Sequence, residues 1–296
     1  MTIGLRSLLF APASHERRSR KALASAADGA ILDLEDAIAD QDKSAARSAA
    51  ARWLADRVPG GPLGLVRINA LATPHAYPDL IAVVGPGLDG IVLPKTESAQ
   101  DVAVLDWSLE QLERERGLPV GSVVILPIVE TARGVLAAVA VAAASRRVLT
   151  LNFGVGDFTL DTGMALESDN PGILWARTQV VVACRAAGVA APVDTVHLTL
   201  GDPEGLRHEA EVARRLGFQG KACIHPDQVE LVNQVFLPTA AEVARAQRLV
   251  DEFAAAVAGG VGALRVGSDF VDRPIADRAE RTLERARAAG VSEGRS

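Results

Sequence analysis

Two carboxylates give the chain its clearest chemical signal. Glu130 closes the apolar run ILPIVE, Asp157 closes VLTLNFGVGD, and TARGVLAAVAVAAAS (131–145) lies between them with Thr131 placed to cap a helix. Each run has the composition of a strand buried on both faces. If the strands are parallel neighbours, both carboxylates emerge at one sheet edge, about 5 Å apart, near enough to share a divalent cation. A hard cation held by two carboxylates keeps coordination positions open for a substrate, which is how proteins commonly use Mg²⁺. The competing reading is two acidic residues that solvate separate loop ends.

The elements that must position this pair recur along the whole chain. LRSLLFA (5–11) reads as a first strand and HERRSRKALASAA as the helix after it, with Ser14 as a possible cap. AILDLEDA (30–37) is a second strand ending in Glu35 and Asp36, and LGLVRIN (63–69) a third carrying Arg67 and Asn69. GIVLPK (90–95) is a fourth, ending in Lys95, and an amphipathic helix follows Ser98 and stops at Gly117. The two runs around Glu130 and Asp157 are the fifth and sixth strands. APVDTVHL (191–198) reads as a seventh strand with Asp194 and His197, and GFQGKACIHPDQ (217–228) supplies an eighth ending at His225. Two helices separated near Pro238 and a tail complete the chain.

Eight apolar strands alternating with helices at roughly thirty-residue spacing predict an α/β chain folded as a (β/α)8 TIM barrel with a C-terminal helical extension. We place the barrel at 1–236 and the extension at 237–296. A doubly wound open sheet is the main alternative, but no Gly-x-Gly-x-x-Gly turn follows the first strand, and Gly154-Val155-Gly156 does not match that pattern.

Composition narrows the classes. Hydrophobic residues form 49% of 296, so the chain buries a large core. The formal charge of −6, without a basic stripe, argues against nucleic acid and anionic membrane surfaces as partners. No signal peptide is expected, since SLLFAPA runs directly into HERRSRK, and a cytoplasmic location is the expectation. Cys184 and Cys223 lie far apart in apolar surroundings and read as reduced, buried residues.

In such a barrel, polar residues at successive strand ends converge on one mouth. Glu35, Asp36, Arg67, Lys95, Glu130, Asp157, Asp194 and His225 would then share a cavity. Arg67 has the planar fork for bidentate capture of a carboxylate, or it pairs with Glu35 or Asp36. Lys95 would be held charged among carboxylates, which ranks an electrostatic role above that of a Schiff-base nucleophile. His197 and His225 are candidate bases by type, although a neighbouring backbone group more often satisfies a strand-end histidine. His15, His75 and His208 read as surface residues.

RSLLFAPAS, AILDLEDA, LVRIN, GIVLPK, ILPIVET, NFGVGDF and GFQGKACIHPDQ, in that order, resemble the HpcH/HpaI aldolase and citrate lyase family, in its citrate lyase β-subunit-like branch. The resemblance covers nearly the whole chain. It implies a Mg²⁺-dependent barrel that cleaves or forms a carbon–carbon bond between an acyl-CoA thioester and a 2-oxo acid. Glu130 and Asp157 would ligate the metal, with Glu130 and Lys95 also facing the substrate, and Arg67 would bind the oxo-acid carboxylate. Asp272, in FVDRP, would reach a neighbouring subunit's site as the base, which implies a homo-oligomer, trimer or hexamer, with the tail packed on that neighbour. Glu35 and Asp36 are the alternatives for positioning water. Two other readings stay open: the β-subunit of a citrate lyase complex acting on a carrier-protein thioester, and a non-catalytic binder of 2-oxo acids.

Overall fold

A computed structural model describes residues 4–288 apart from Ser168. Eight parallel strands close into a barrel in the order β1 to β8. The first half runs β1 (Ser7–Pro12), α1 (Glu16–Leu23), β2 (Gly29–Asp33), α2 (Lys43–Ala55), β3 (Leu63–Arg67), α3 (Ala76–Val83), β4 (Gly90–Leu93) and α4 (Ala99–Glu115). The second half runs β5 (Val124–Val129), α5 (Ala132–Ala143), β6 (Asn152–Phe153), α6 (Val155–Thr162), α7 (Pro171–Ala187), β7 (Val193–Asp194), α8 (Pro203–Leu216) and β8 (Gly220–Cys223). Helix α9 (Pro226–Phe236) follows, and β8 pairs with β1 through Ser7 and Lys221 to close the ring. The expected TIM barrel is the fold observed.

Helix ends obey local chemistry. Ser98 and Asp101 form a reciprocal capping box that starts α4, Thr131 caps α5 through the N–H of Gly134, and Asn170 with Pro171 opens α7. Gly188 and Gly217 stop α7 and α8 in the left-handed region, at φ +76° and +108°.

Register fixes which side chains point inward. Leu8, Ile31, Leu65, Val92, Leu126, Ile128 and Val193 form one buried cluster, and they sit on matching rows of neighbouring strands. Side chains alternate along a strand, so Asp33, Arg67 and Glu130, each two residues beyond a member of that cluster, continue the inward face towards the C-terminal edge.

Three strands are shorter than their apolar runs suggest. Strand β6 holds two residues, because the chain turns into α6 at Val155, so Asp157 lies in the first turn of a helix and not at a strand end. Strand β7 likewise keeps only Val193 and Asp194. Strand β8 starts after the Gly217 stop and ends before Pro226, where the Gln228 carboxamide accepts the N–H groups of Ile224 and His225 and begins α9.

Contacts divide the chain into two compact units, residues 1–233 and 234–296. The second contains α10 (Ala240–Ala258), the antiparallel pair β9 (Leu264–Val266) and β10 (Asp269–Val271), and α11 (Arg273–Ala288). Its core includes Val243, Leu249, Phe253, Val271 and Leu283. Within this extension the tail forms a short hairpin: LRV and DFV are β-prone runs on either side of Gly267, at φ +61°.

Candidate active site

Strands β2 and β3 bring Arg67 against two carboxylates. Its Nε donates to Asp33 Oδ1 at 2.7 Å and its Nη2 to Asp33 Oδ2 at 2.6 Å, a bidentate pair between register partners. Nη1 lies 2.8 Å from Glu35 Oε2, a contact whose angle leaves that oxygen without a well-directed hydrogen bond. The guanidinium also sits 5.2 Å from the centroid of the Phe10 ring. Burial opposes its charge, but Asp33, Glu35 and Glu130 outweigh that effect and hold Arg67 above the ordinary guanidinium value. Asp33 takes up two of its five N–H groups, and Glu35 lies beside a third.

The turn after β2 is fastened from behind. Asp33 Oδ1 also accepts the N–H of Glu35 at 3.0 Å, and buried Lys43 donates to the carbonyls of Leu34 and Glu35 and to Asn69 Oδ1. Asn69 in turn donates to Leu34 O and to Asp79, so its role is to brace the strand end that carries Arg67.

Lys95 ends the fourth strand segment with φ +48°, the one non-glycine residue in the left-handed region among those described. That conformation costs about 1–2 kcal/mol for a side chain with a Cβ. It aims the two ends of the residue differently: the backbone N–H donates to Glu130 Oε1 at 2.6 Å, and Nζ reaches Glu35 Oε1 at 2.5 Å. Nζ also lies 3.5 Å from Asp36 and 3.6 Å from Asp157. Burial disfavours the ammonium, yet Glu35, Glu130 and Asp157 together raise Lys95 above its usual value and keep it charged.

Glu130 is 3% exposed. Burial pushes its carboxyl up to about 8; the Lys95 N–H acts the other way, and the charges of Asp157 and Glu35 reinforce the rise. Glu35 is raised mainly by burial, against the pull of Arg67 and Lys95. Glycine at 154 is required by this packing, since a Cβ there would stand 2.5 Å from Glu130 Oε2 and 2.7 Å from Glu130 Cβ.

These features suit a hard divalent cation. Glu130 and Asp157 are oxygen donors on adjacent strand–loop units, and the charge of Asp157 raises the affinity of Glu130 for positive charge. Among the described residues no group of three His, Cys, Asp or Glu could hold a metal ion.

The other candidates make contacts of their own. Asp194 turns outward from β7, is fully enclosed, and pairs with Arg177 at 2.9 Å and Lys221 at 3.1 Å, so it does not join the mouth. His197 is buried beside Glu209, 3.0 Å away, and Asp202, and His225 is half exposed with Nδ1 accepting the N–H of Asp227. Cys184 and Cys223 are free and buried, with thiols raised by burial to about 11 and about 12. In the second unit Asp272 precedes α11 and its Oδ1 accepts the N–H of Ile275 at 3.2 Å.

Asp33 escaped the sequence reading because it sits inside an apolar strand. The signal available was alternation: in LDLE, Asp33 and Glu35 share a face while the leucines share the other.

The fold and mouth define a (β/α)8 barrel whose C-terminal edge gathers Arg67, Lys95 and a carboxylate cluster fit for a divalent cation. The model of the HpcH/HpaI aldolase/citrate lyase family matches residues 6–226, and the chain belongs to that family. It is 36% identical to the citrate lyase subunit beta of Leuconostoc mesenteroides subsp. cremoris, over 96% of this chain and 93% of that one. It is 35% identical to an L-malyl-CoA/beta-methylmalyl-CoA lyase of Cereibacter sphaeroides, over 95% and 94% respectively. Among solved structures, the Mycobacterium tuberculosis protein CitE in complex with magnesium, acetoacetate and coenzyme A superposes with a TM-score of 0.76 at 33% identity, covering 97% of this chain and 99% of that one.

Proposed function

We propose that the protein is a Mg²⁺-dependent carbon–carbon lyase that cleaves a 3-hydroxyacyl thioester of the citramalyl-, malyl- or citryl-CoA type to acetyl-CoA and a 2-oxo acid, or runs the reverse condensation. The observation that carries this reading is the convergence of Arg67, Lys95, Glu130 and Asp157 on one barrel mouth.

Glu130 and Asp157 would hold the cation, which when bound supplies Lewis-acid polarisation of the reacting oxygen. Arg67, pinned by Asp33, presents its remaining N–H groups to the carboxylate of the acid and so orients it. In cleavage, a base takes the hydroxyl proton as the bond between the carbinol carbon and the thioester's α-carbon breaks. The electron pair moves to that α-carbon and is later quenched by a proton. We assign the base to Asp272 of a neighbouring subunit in a homo-oligomer, with Glu35 and Asp36, held by Lys95, as groups that position water.

The test is acetyl-CoA release from a small panel of 3-hydroxyacyl-CoA thioesters, with and without Mg²⁺. Mg²⁺-dependent release from at least one is expected; none from any overturns the reading. A second reading, the β-subunit of a citrate lyase complex acting on a carrier-protein thioester, is favoured by the near full-length similarity to a citrate lyase subunit beta. Copurification with carrier-protein subunits and turnover of that thioester alone would establish it. Binding of 2-oxo acids without turnover of either thioester would mark a non-catalytic binder.

A further inference from the structure

The inner face of β6 carries a polar side chain that the mechanism above leaves unused. Asn152 is 4% exposed, and its Oδ1 is enclosed without a hydrogen-bond partner. Its register partners are Ile128 on β5 and Val193 on β7, both members of the buried cluster inside the barrel, so its side chain lies between two apolar neighbours on the inward face. Two residues on, along the same face, comes Gly154, where an added Cβ would strike Glu130. Glu130 itself stands two residues beyond Ile128. Asn152 therefore lies on the rung beneath the Glu130–Gly154 pair, roughly 7 Å nearer the barrel floor.

A carboxamide oxygen enclosed without a protein donor carries a desolvation cost that a leucine of similar size would avoid. An acceptor at the floor of a carboxylate-lined mouth calls for an O–H donor approaching from above. We propose that Asn152 is a positioning residue whose Oδ1 accepts a hydrogen bond from an O–H group of the ligand at the Glu130–Asp157 site. This rests on the function proposed above. Two sources share that chemistry: a water molecule bound to the cation, and the hydroxyl of the hydroxy acid.

Calorimetry on Asn152→Leu separates them. If the donor is a cation-bound water, Mg²⁺ alone binds about tenfold more weakly than to the parent protein. If it is the hydroxyl, Mg²⁺ alone binds normally and malate, in the presence of Mg²⁺, binds about tenfold more weakly, while oxaloacetate, which has a carbonyl at that carbon, is unaffected. Binding of all three as in the parent overturns the proposal. A structural role would lower the melting temperature of the ligand-free protein; the proposal expects it equal or higher, because leucine replaces an unpartnered amide between Ile128 and Val193. Should Asn152→Leu not fold, Asn152→Ala carries the same binding measurements, and failure of both to fold assigns the residue to the core and overturns the proposal. Asp157→Asn serves as the control for the cation site: undiminished Mg²⁺ binding there refutes that site, whatever the Asn152 variants do.

Discussion

The backbone N–H of Lys95 donates to Glu130 Oε1 at 2.6 Å from a residue held at φ +48°, so the orientation of the buried carboxylate depends on a strained neighbour. Lys95→Gly relieves that strain and keeps the N–H, whereas Lys95→Met keeps the strain; both remove the ammonium from Glu35, Asp36 and Asp157. Turnover should fall at least tenfold in both. The glycine variant should melt higher than the methionine variant, by an amount equivalent to about 1 kcal/mol. Full turnover in Lys95→Met would remove the ammonium from the mechanism.

Glu130 makes stability depend on pH. Its folded value, about 8, lies above the ordinary 4.5, so the folded protein retains a proton that the unfolded chain releases. The stabilisation is complete below about 4.5 and is lost as the pH climbs to about 8. Metal-free protein should therefore show a melting temperature that declines across this window more steeply than Glu130→Gln does. Added Mg²⁺ should stabilise the parent more at the upper end, because its ligand must be ionised to bind. Parallel pH profiles for parent and variant would sever Glu130 from the effect.

Gly154→Ala places a methyl group 2.5 Å from Glu130 Oε2. The carboxylate must swing away, and overpacking of this kind costs about 1–3 kcal/mol. Mg²⁺ affinity and turnover should drop together, by more than tenfold. Unchanged Mg²⁺ affinity by calorimetry would show that Glu130 is not a ligand.

Asp33→Asn leaves Arg67 charged and half-paired. Both side chains are largely buried, at 13% and 4% exposure, so loss of the bidentate contact should destabilise by about 3 kcal/mol or more. At a temperature where the variant stays folded, KM for the thioester should rise further than kcat falls, since Arg67 would bind the acid end of the substrate. A change confined to kcat would contradict that assignment.

The barrel and most of its mouth were legible because Lys95 and Glu130 each follow a strand that is apolar on both faces, and Glu35 one that is apolar up to Asp33, so that a charge marks the edge. Asp157 was legible by type and misplaced by element: Gly154 and Gly156 allow the backbone to leave the strand early and enter α6, and apolar composition does not separate those states. Asp194 and Lys221 look the same in sequence as the mouth residues, yet alternation from Val193 turns Asp194 outward towards α7. Asp33 was hidden by its own strand, and its importance depends on facing Arg67 across a register that pairing alone reveals. Position 95 carries no mark of its left-handed backbone, because that conformation is imposed by the contacts at both ends of the lysine.

The mouth sets five carboxylates, Asp33, Glu35, Asp36, Glu130 and Asp157, against the two cations Arg67 and Lys95. Under the function proposed above, an oxo acid arriving first would meet a surplus of three charges of its own sign, which a divalent ion held by Glu130 and Asp157 would cut to one. That balance would set an order of arrival, metal before acid, and saturating acid should then not hinder metal entry by occupying the mouth ahead of it.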